Sequence, residues 1–127
     1  MEKTKIMIVD DETELLDVLT TFLSKDYEVI TAENGLEAME MFSIENPVII
    51  ITDINMPYMS GMELLKAVKE ISPSTEIIIM TGYRTPEVLL EAQVLGAFDC
   101  ISKPVSIGSL QGLLQRVMDK INLQVVC

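Results

Sequence analysis

Three aspartates, a threonine and a lysine carry most of the chemistry this sequence could perform. Asp10 and Asp11 stop the apolar run Ile6-Met7-Ile8-Val9, Asp53 lies just past Val48-Ile49-Ile50-Ile51, Thr81 follows Ile77-Ile78-Ile79-Met80, and Lys103 follows Phe98–Ser102. Where such ends converge, three carboxylates repel one another and favour a divalent cation between them. Carboxylates with a backbone carbonyl and waters form a hard-oxygen set suited to Mg²⁺, which keeps part of its hydration and also takes a phosphate oxygen. Lys103 can neutralise a phosphoryl or carboxylate oxygen from the opposite side, and the Thr81 hydroxyl can donate a hydrogen bond to it. The sequence contains no histidine, which removes Ser-His-Asp and Cys-His sites and His-ligated zinc. The nucleophile that remains is a carboxylate.

Each residue also has a plainer reading. Asp11 with Glu14 has the spacing of a helix cap, a role compatible with metal binding. Asp53-Ile54-Asn55 reads as a turn, Thr81-Gly82 alone says little, and an isolated lysine is most often a surface residue. None of these explains why the ends of separate runs carry them, so the constellation is more specific than any member.

The elements that must position these residues follow from periodicity. The apolar runs are unbroken and rich in β-branched residues, as in strands covered on both faces, and weaker runs at Tyr27–Thr31 and Phe98–Ser102 bring the set to five. Leu15, Leu19, Phe22 and Leu23 share one helical face, as do Leu110, Leu114, Val117 and Met118. Ser60 with Glu63 and Asn34 with Glu37 have capping-box spacing, Thr85-Pro86 sets a cap before a first-turn proline, and Ser106 is a further cap. Gly96 ends the fourth helix, while Pro47 and Pro73 follow the second and third. Five strand-then-helix units imply an α/β fold: a parallel sheet with right-handed crossovers and helices on both faces. Its ligand edge lies at the carboxyl ends of the strands, where Asp10, Asp11, Asp53, Thr81 and Lys103 all fall.

Composition bounds the function. The 127 residues suffice for one domain, expected over 1–127 with a core at about 4–122. Nine Lys plus Arg against twenty Asp plus Glu give a net charge of −11, with the basic residues scattered. Direct nucleic-acid binding, which needs clustered positive charge, is not expected, nor is attachment to an anionic membrane. No apolar stretch approaches the roughly 20 residues of a membrane span, and no secretory leader opens the sequence, so the expected location is cytoplasmic. Cys100 and Cys127 form no disulfide framework.

On Val9-Asp10-Asp11, on Thr52-Asp53-Ile54-Asn55-Met56-Pro57-Tyr58-Met59-Ser60-Gly61, on Met80-Thr81-Gly82, on Gly96-Ala97-Phe98-Asp99 and on Lys103-Pro104, the sequence resembles a response-regulator receiver domain of two-component signalling. The resemblance covers essentially the whole chain. It implies a flavodoxin-like, doubly wound fold with strand order 2-1-3-4-5. It further implies Asp53 as phosphoacceptor, with Asp11 and Asp53 as Mg²⁺ ligands, Asp10 assisting through water and the Asn55 backbone carbonyl completing the set. Thr81 and Lys103 would hold the phosphoryl oxygens, supported by Gly82 and by a Lys103-Pro104 bond that is commonly cis in the family. The donor would be a histidine on a sensor histidine kinase or a histidine phosphotransfer protein. The output would be a downstream protein target, or a homodimer through the fourth helix, fifth strand and fifth helix.

Two positions depart from the family pattern. Cys100 stands three residues before the lysine, where receivers usually carry Tyr or Phe as a ring that turns inward on activation, and Val105 replaces the usual Phe. Cys100 reads as a small buried residue rather than a redox group, so the expected switch runs through Thr81 and the loop after it. The fourth helix has more apolar width than one core-facing stripe needs and admits two readings: deep packing between Val88, Ala92 and Leu95, or an outward pair, Leu90 and Val94, forming part of a dimer or partner surface. Met7, Met39, Met80 and Met118 read as core, Met56 and Met59 as loop residues facing a partner, and Cys127 as incidental. Asn55 and Tyr83 flank the pocket and are the expected influences on phosphoryl lifetime. The competing enzyme reading is an Mg²⁺-dependent aspartyl-phosphate phosphohydrolase like those of the haloacid-dehalogenase superfamily. There the nucleophile precedes the acidic pair and an Asp follows two residues later as acid/base; here the pair comes first and Asn55 stands in that place. The expectation is therefore a signalling module that catalyses only its own phosphorylation and dephosphorylation, with a scaffold that takes no phosphate as a third reading.

Overall fold

In the computed structural model, which describes residues 2–126, strands and helices alternate along the chain. Strands β1 (Thr4–Val9), β2 (Tyr27–Ala32), β3 (Ile49–Asp53), β4 (Glu76–Thr81) and β5 (Asp99–Ser102) are parallel and lie in the order β2-β1-β3-β4-β5. Helices α1 (Thr13–Leu23), α2 (Gly35–Glu45), α3 (Gly61–Ile71), α4 (Pro86–Leu95) and α5 (Ile107–Val126) connect and follow them. The expected doubly wound α/β architecture is the one formed.

Side-chain alternation divides the sheet into two cores. Ile6, Ile8, Ile49, Ile51, Ile78 and Met80 meet Leu16, Leu19 and Leu23 of α1 and Leu110, Leu114 and Val117 of α5. Met7, Val9, Ile50, Ile77 and Ile79 meet Ala38 and Phe42 of α2, Leu64, Leu65 and Val68 of α3, and Ala92 of α4. Every residue of β3 and β4 is buried, which is why these strands read as continuous apolar runs rather than alternating ones. The winding reverses between β1 and β3, whose register pairs Val9 with Thr52. The next residues, Asp10 and Asp53, therefore emerge side by side at the crevice where such sheets take ligands.

Local chemistry fixes the helix ends. Ser60 and Glu63 form a reciprocal capping box, Asn34 accepts from the Glu37 amide, Thr85 from Val88 ahead of Pro86, and Ser106 from Ser109. Gly96 closes α4 with φ 97°, a left-handed turn that glycine adopts without the Cβ penalty.

Several local expectations are corrected. Leu16, not foreseen, joins Leu19 and Leu23 on the buried face of α1, Leu15 packs partly buried against the same core, and Phe22 is 43% exposed. At about 100° per residue, Leu16, Leu19 and Leu23 span a narrow arc that leaves Phe22 at its flank. Asp11 does not cap α1: Glu12 occupies the cap position without a side-chain cap bond, and Asp10 Oδ1 accepts the Glu12 amide at 2.8 Å. In α4 only Ala92 is fully buried, with Val88 and Leu95 partly so, while Leu90 and Val94 are exposed, which favours the outward-pair reading over deep packing. Met56 and Met59 turn partly into the core beside α2 and α3 instead of outward. Cys127 lies outside the described residues.

Candidate functional site

The carboxyl edge of the sheet collects the residues singled out above. Asp10 follows β1 and is fully buried, Asp53 ends β3 and is 7% exposed, and Asp11 beside them is exposed. One carboxylate oxygen from each lies within 4.8 Å of the others. Lys103, just past β5, reaches across with Nζ 2.7 Å from Asp10 Oδ2, 3.3 Å from Glu12 Oε1 and 3.4 Å from Asp53 Oδ2. The Lys103 amide donates to the Thr81 carbonyl at 2.8 Å, tying the lysine to the end of β4, and the Lys103-Pro104 bond is cis.

The electrostatics follow from this crowding. Burial, together with the Asp10 charge, pushes the Asp53 carboxyl above its usual range, against the pull of Lys103 and of the Ile54 amide that donates to Asp53 Oδ1 at 2.9 Å. Burial disfavours the charged form of Lys103, but its bonds to Asp10, Asp53 and Glu12 outweigh that and hold its ammonium above the usual lysine range. The lysine thus serves as counter-charge to a cluster that stays over-acidic. Three hard carboxylates within one coordination sphere's reach fit a divalent cation of the Mg²⁺ type, and the excess negative charge is what such an ion would offset.

The loop after Asp53 is tightly folded. The Gly61 amide donates to the Ile54 carbonyl at 2.8 Å, and a Cβ at Gly61 would lie 2.1 Å from the Asp53 carbonyl oxygen. Only glycine permits α3 to start this close to the backbone of Asp53. Tyr58 adopts φ 72° inside a three-residue turn closed by the Met59 amide and the Pro57 carbonyl at 2.8 Å, a strained conformation for an aromatic residue. Its ring is 81% exposed, so Tyr58, rather than Met56 or Met59, projects from this loop. Asn55 is exposed in the same loop.

Thr81 ends β4, but its hydroxyl is engaged with the following loop: it accepts from the Tyr83 amide at 2.9 Å and donates to the Tyr83 carbonyl at 3.2 Å. Gly82 lies in this exposed turn with space around it. Cys100 is buried, and burial first, then Asp99, pushes its thiol up against the weaker pull of Arg84. Sequence reasoning missed Glu12 as a partner of Lys103. Its place directly after the acidic pair was the available signal, but periodicity does not say which way a loop carboxylate turns.

Comparison with known proteins agrees with this geometry. Residues 6–115 match the family described as the response regulator receiver domain. The chain is 36% identical over 115 residues to Regulatory protein AtoC of Escherichia coli (strain K12), an alignment covering 90% of this chain and 25% of that protein. It is 32% identical over 119 residues to Sporulation initiation phosphotransferase F of Bacillus subtilis (strain 168), covering 93% of this chain and 96% of that one. Among solved structures, a response regulator receiver domain protein from Clostridium thermocellum superposes with a TM-score of 0.89 at 31% identity, covering 95% of this chain and 98% of that one. The chain spans about a quarter of AtoC and nearly the full length of the sporulation phosphotransferase.

Proposed function

The chain belongs to the response regulator receiver domain family of two-component signalling, and from that premise we propose that Asp53 accepts a phosphoryl group from a phosphohistidine of a partner protein, a sensor histidine kinase or a histidine phosphotransfer protein. An Asp53 carboxylate oxygen attacks phosphorus, a P–O bond forms as the P–N bond breaks, and the imidazole leaves with the electron pair and takes up a proton. The absence of histidine in this chain accords with a donor on another protein. The observation that carries the reading is the convergence on one sheet edge of Asp10, Asp11 and Asp53 with Lys103 Nζ, 3.4 Å from Asp53.

Asp10, Asp11, Asp53 and the Asn55 carbonyl would hold Mg²⁺, which when bound supplies positive charge to neutralise the attacking carboxylate and the phosphoryl oxygens. Lys103 shares its ammonium among Asp10, Glu12 and Asp53 and is poised to follow the new charge onto a phosphoryl oxygen, a stabilisation that needs no large rearrangement. Thr81 supplies the hydroxyl donor, and to do so it must give up its bond to the Tyr83 carbonyl. Gly82 leaves that turn unobstructed, and Pro104 directly follows the lysine. The phosphorylated product stays on the chain, so its use is to alter a protein-binding surface at α4, β5 and α5, facing a downstream protein or a second copy. No helix among the described residues is long and apolar enough to cross a membrane, and a cytoplasmic location suits the proposed partners.

The test is to incubate the protein and its Asp53→Asn variant with acetyl phosphate and Mg²⁺ and to weigh both intact. A labile gain of one phosphoryl group in the parent alone is expected. Catalytic release of phosphate would favour the phosphohydrolase, and no gain in either protein would favour a scaffold.

A further inference from the structure

The chain has only two arginines, Arg84 and Arg116, and both line one groove of about 630 Å³ beside β5. Arg84 comes from the loop between β4 and α4, and Arg116 from α5. Between them the groove presents the hydroxyls of Ser102, Ser106 and Ser109, and its single acidic residue is Asp99, which pairs with Arg116 at 2.9 Å. Arg84 forms no ion pair among the described residues. β5 is an edge strand of the sheet, and an edge leaves one row of backbone donors and acceptors without strand partners. Cys100 and Ile101 of β5, both buried, are also among its lining residues.

We propose that this groove binds a carboxylate-rich, extended segment of a partner protein, laid along β5 with its acidic side chains on Arg84 and Arg116. This deepens the proposed function, resting on that reading only for the idea that the surface is an output. The charge argument stands without it. In a chain of net charge −11, two guanidinium groups against one carboxylate make a local inversion of sign, and guanidinium forks match carboxylates in planar, two-point contacts. Backbone pairing at a strand edge supplies affinity while flanking side chains supply specificity. Nucleic acid would bring more phosphate charge than two arginines neutralise, against the repulsion of the whole chain. Arg116 already has an acidic partner, but its five N–H donors leave room for a second acceptor.

The experiment uses the whole chain and two synthetic peptides of alternating valine and acidic residues, one carrying Glu and Asp, the other Gln and Asn. The acidic peptide is expected to shift the amide signals of Asp99–Ser102 and the side-chain signals of Arg84 and Arg116. The neutral peptide should bind about tenfold more weakly, and Arg84→Gln and Arg116→Gln should each weaken the acidic peptide about fivefold, factors worth roughly one charge-assisted contact. Lys66→Gln, on the exposed face of α3, should change nothing. Equal binding of the two peptides, arginine variants that bind like the parent, or shifts mapping elsewhere would overturn the proposal. So would concentration-dependent self-association lost in Arg84→Gln, which would assign the groove to a second copy. An Asp53 that takes no phosphoryl group would refute the proposed function while leaving these peptide results standing.

Discussion

Replacing Lys103 with methionine tests the electrostatic logic of the site most directly. Among the described residues, Lys103 is the only cation within ion-pair reach of Asp10, Glu12 and Asp53. At an effective dielectric near 20, a pair of unit charges at such separations attracts by on the order of 5 kcal/mol before desolvation is counted. Most of that gross attraction is offset by the cost of burying the ammonium. What the substitution exposes is the other half of the balance: Asp10 is fully buried, and removing the partner of a buried charge costs about 3–5 kcal/mol. In a chain of 127 residues this corresponds to a fall in Tm of about 10–20 °C. Methionine keeps the length and packing of the side chain, so the loss reports charge rather than a cavity. The assay is thermal unfolding of parent and variant in EDTA and again in excess MgCl₂. A cation that binds only the folded cluster stabilises by mass action, so the variant should recover more in MgCl₂ than the parent gains. A variant as stable as the parent in EDTA, or one no more responsive to MgCl₂, would refute the view that Lys103 is the counter-charge of this cluster.

Three further outcomes follow from the same geometry. The Asp53 carboxyl sits above its ordinary 3.8, so its ionised form opposes folding. That cost is complete above the raised folded value and disappears as pH falls below the ordinary one. Metal-free Asp53→Asn is therefore expected to be more stable than the parent at neutral pH, with the gap closing as the medium is acidified; urea unfolding across that range would show it. Gly61→Ala would set a Cβ 2.1 Å from the Asp53 carbonyl oxygen, a backbone clash that no rotamer relieves. A stability loss of about 1–3 kcal/mol or more is expected, with slower phosphorylation by acetyl phosphate, and a Tm equal to the parent's would contradict the close approach. Beryllofluoride with Mg²⁺ should shift amide signals through residues 81–100, because the Thr81 hydroxyl must give up its bond to the Tyr83 carbonyl; shifts confined to the acidic cluster and Lys103 would count against that route.

The sheet was legible because β3 and β4 are buried on both faces: no solvent-facing alternation interrupts their isoleucines, and a charged or hydroxyl residue marks where each run reaches the open edge. The caps at Asn34, Ser60, Thr85 and Ser106 were legible because a capping side chain acts on amides two or three residues away. What failed had a different range. Whether Phe22 or Leu16 faces the sheet depends on the axial rotation of α1, which is set by packing against the β1 and β3 side chains. The inward turn of Met56 and Met59 depends on a loop folded over α2, and the exposure of Tyr58 is its complement. Glu12 could be placed beside the site by sequence, but its contact with Lys103 spans 91 positions and arises only when β1 and β5 share an edge.

The replacement of a ring by Cys100 bears on how the site communicates with its surroundings. A thiol has neither the length nor the planar bulk to act as a plug that swings between two positions, and Cys100 is already buried. The loop after β4 offers another connection. One hydroxyl at Thr81 holds both the amide and the carbonyl of Tyr83, and the next residue is Arg84, which lines the groove beside β5. A hydroxyl carries one proton, so donating it to a phosphoryl oxygen means withdrawing it from Tyr83. The turn then loses one of the two bonds that hold Tyr83, the one to its carbonyl, and Arg84 is the charged group that shifts with it. On this route, phosphorylation acts on the output surface by moving a cation rather than by burying a ring. Thr81→Val, which keeps the shape but has no hydroxyl, should release Arg84 without phosphate: its affinity for an acidic peptide should differ from the parent's and stay unchanged on adding beryllofluoride. A variant still responsive to beryllofluoride would place the connection elsewhere.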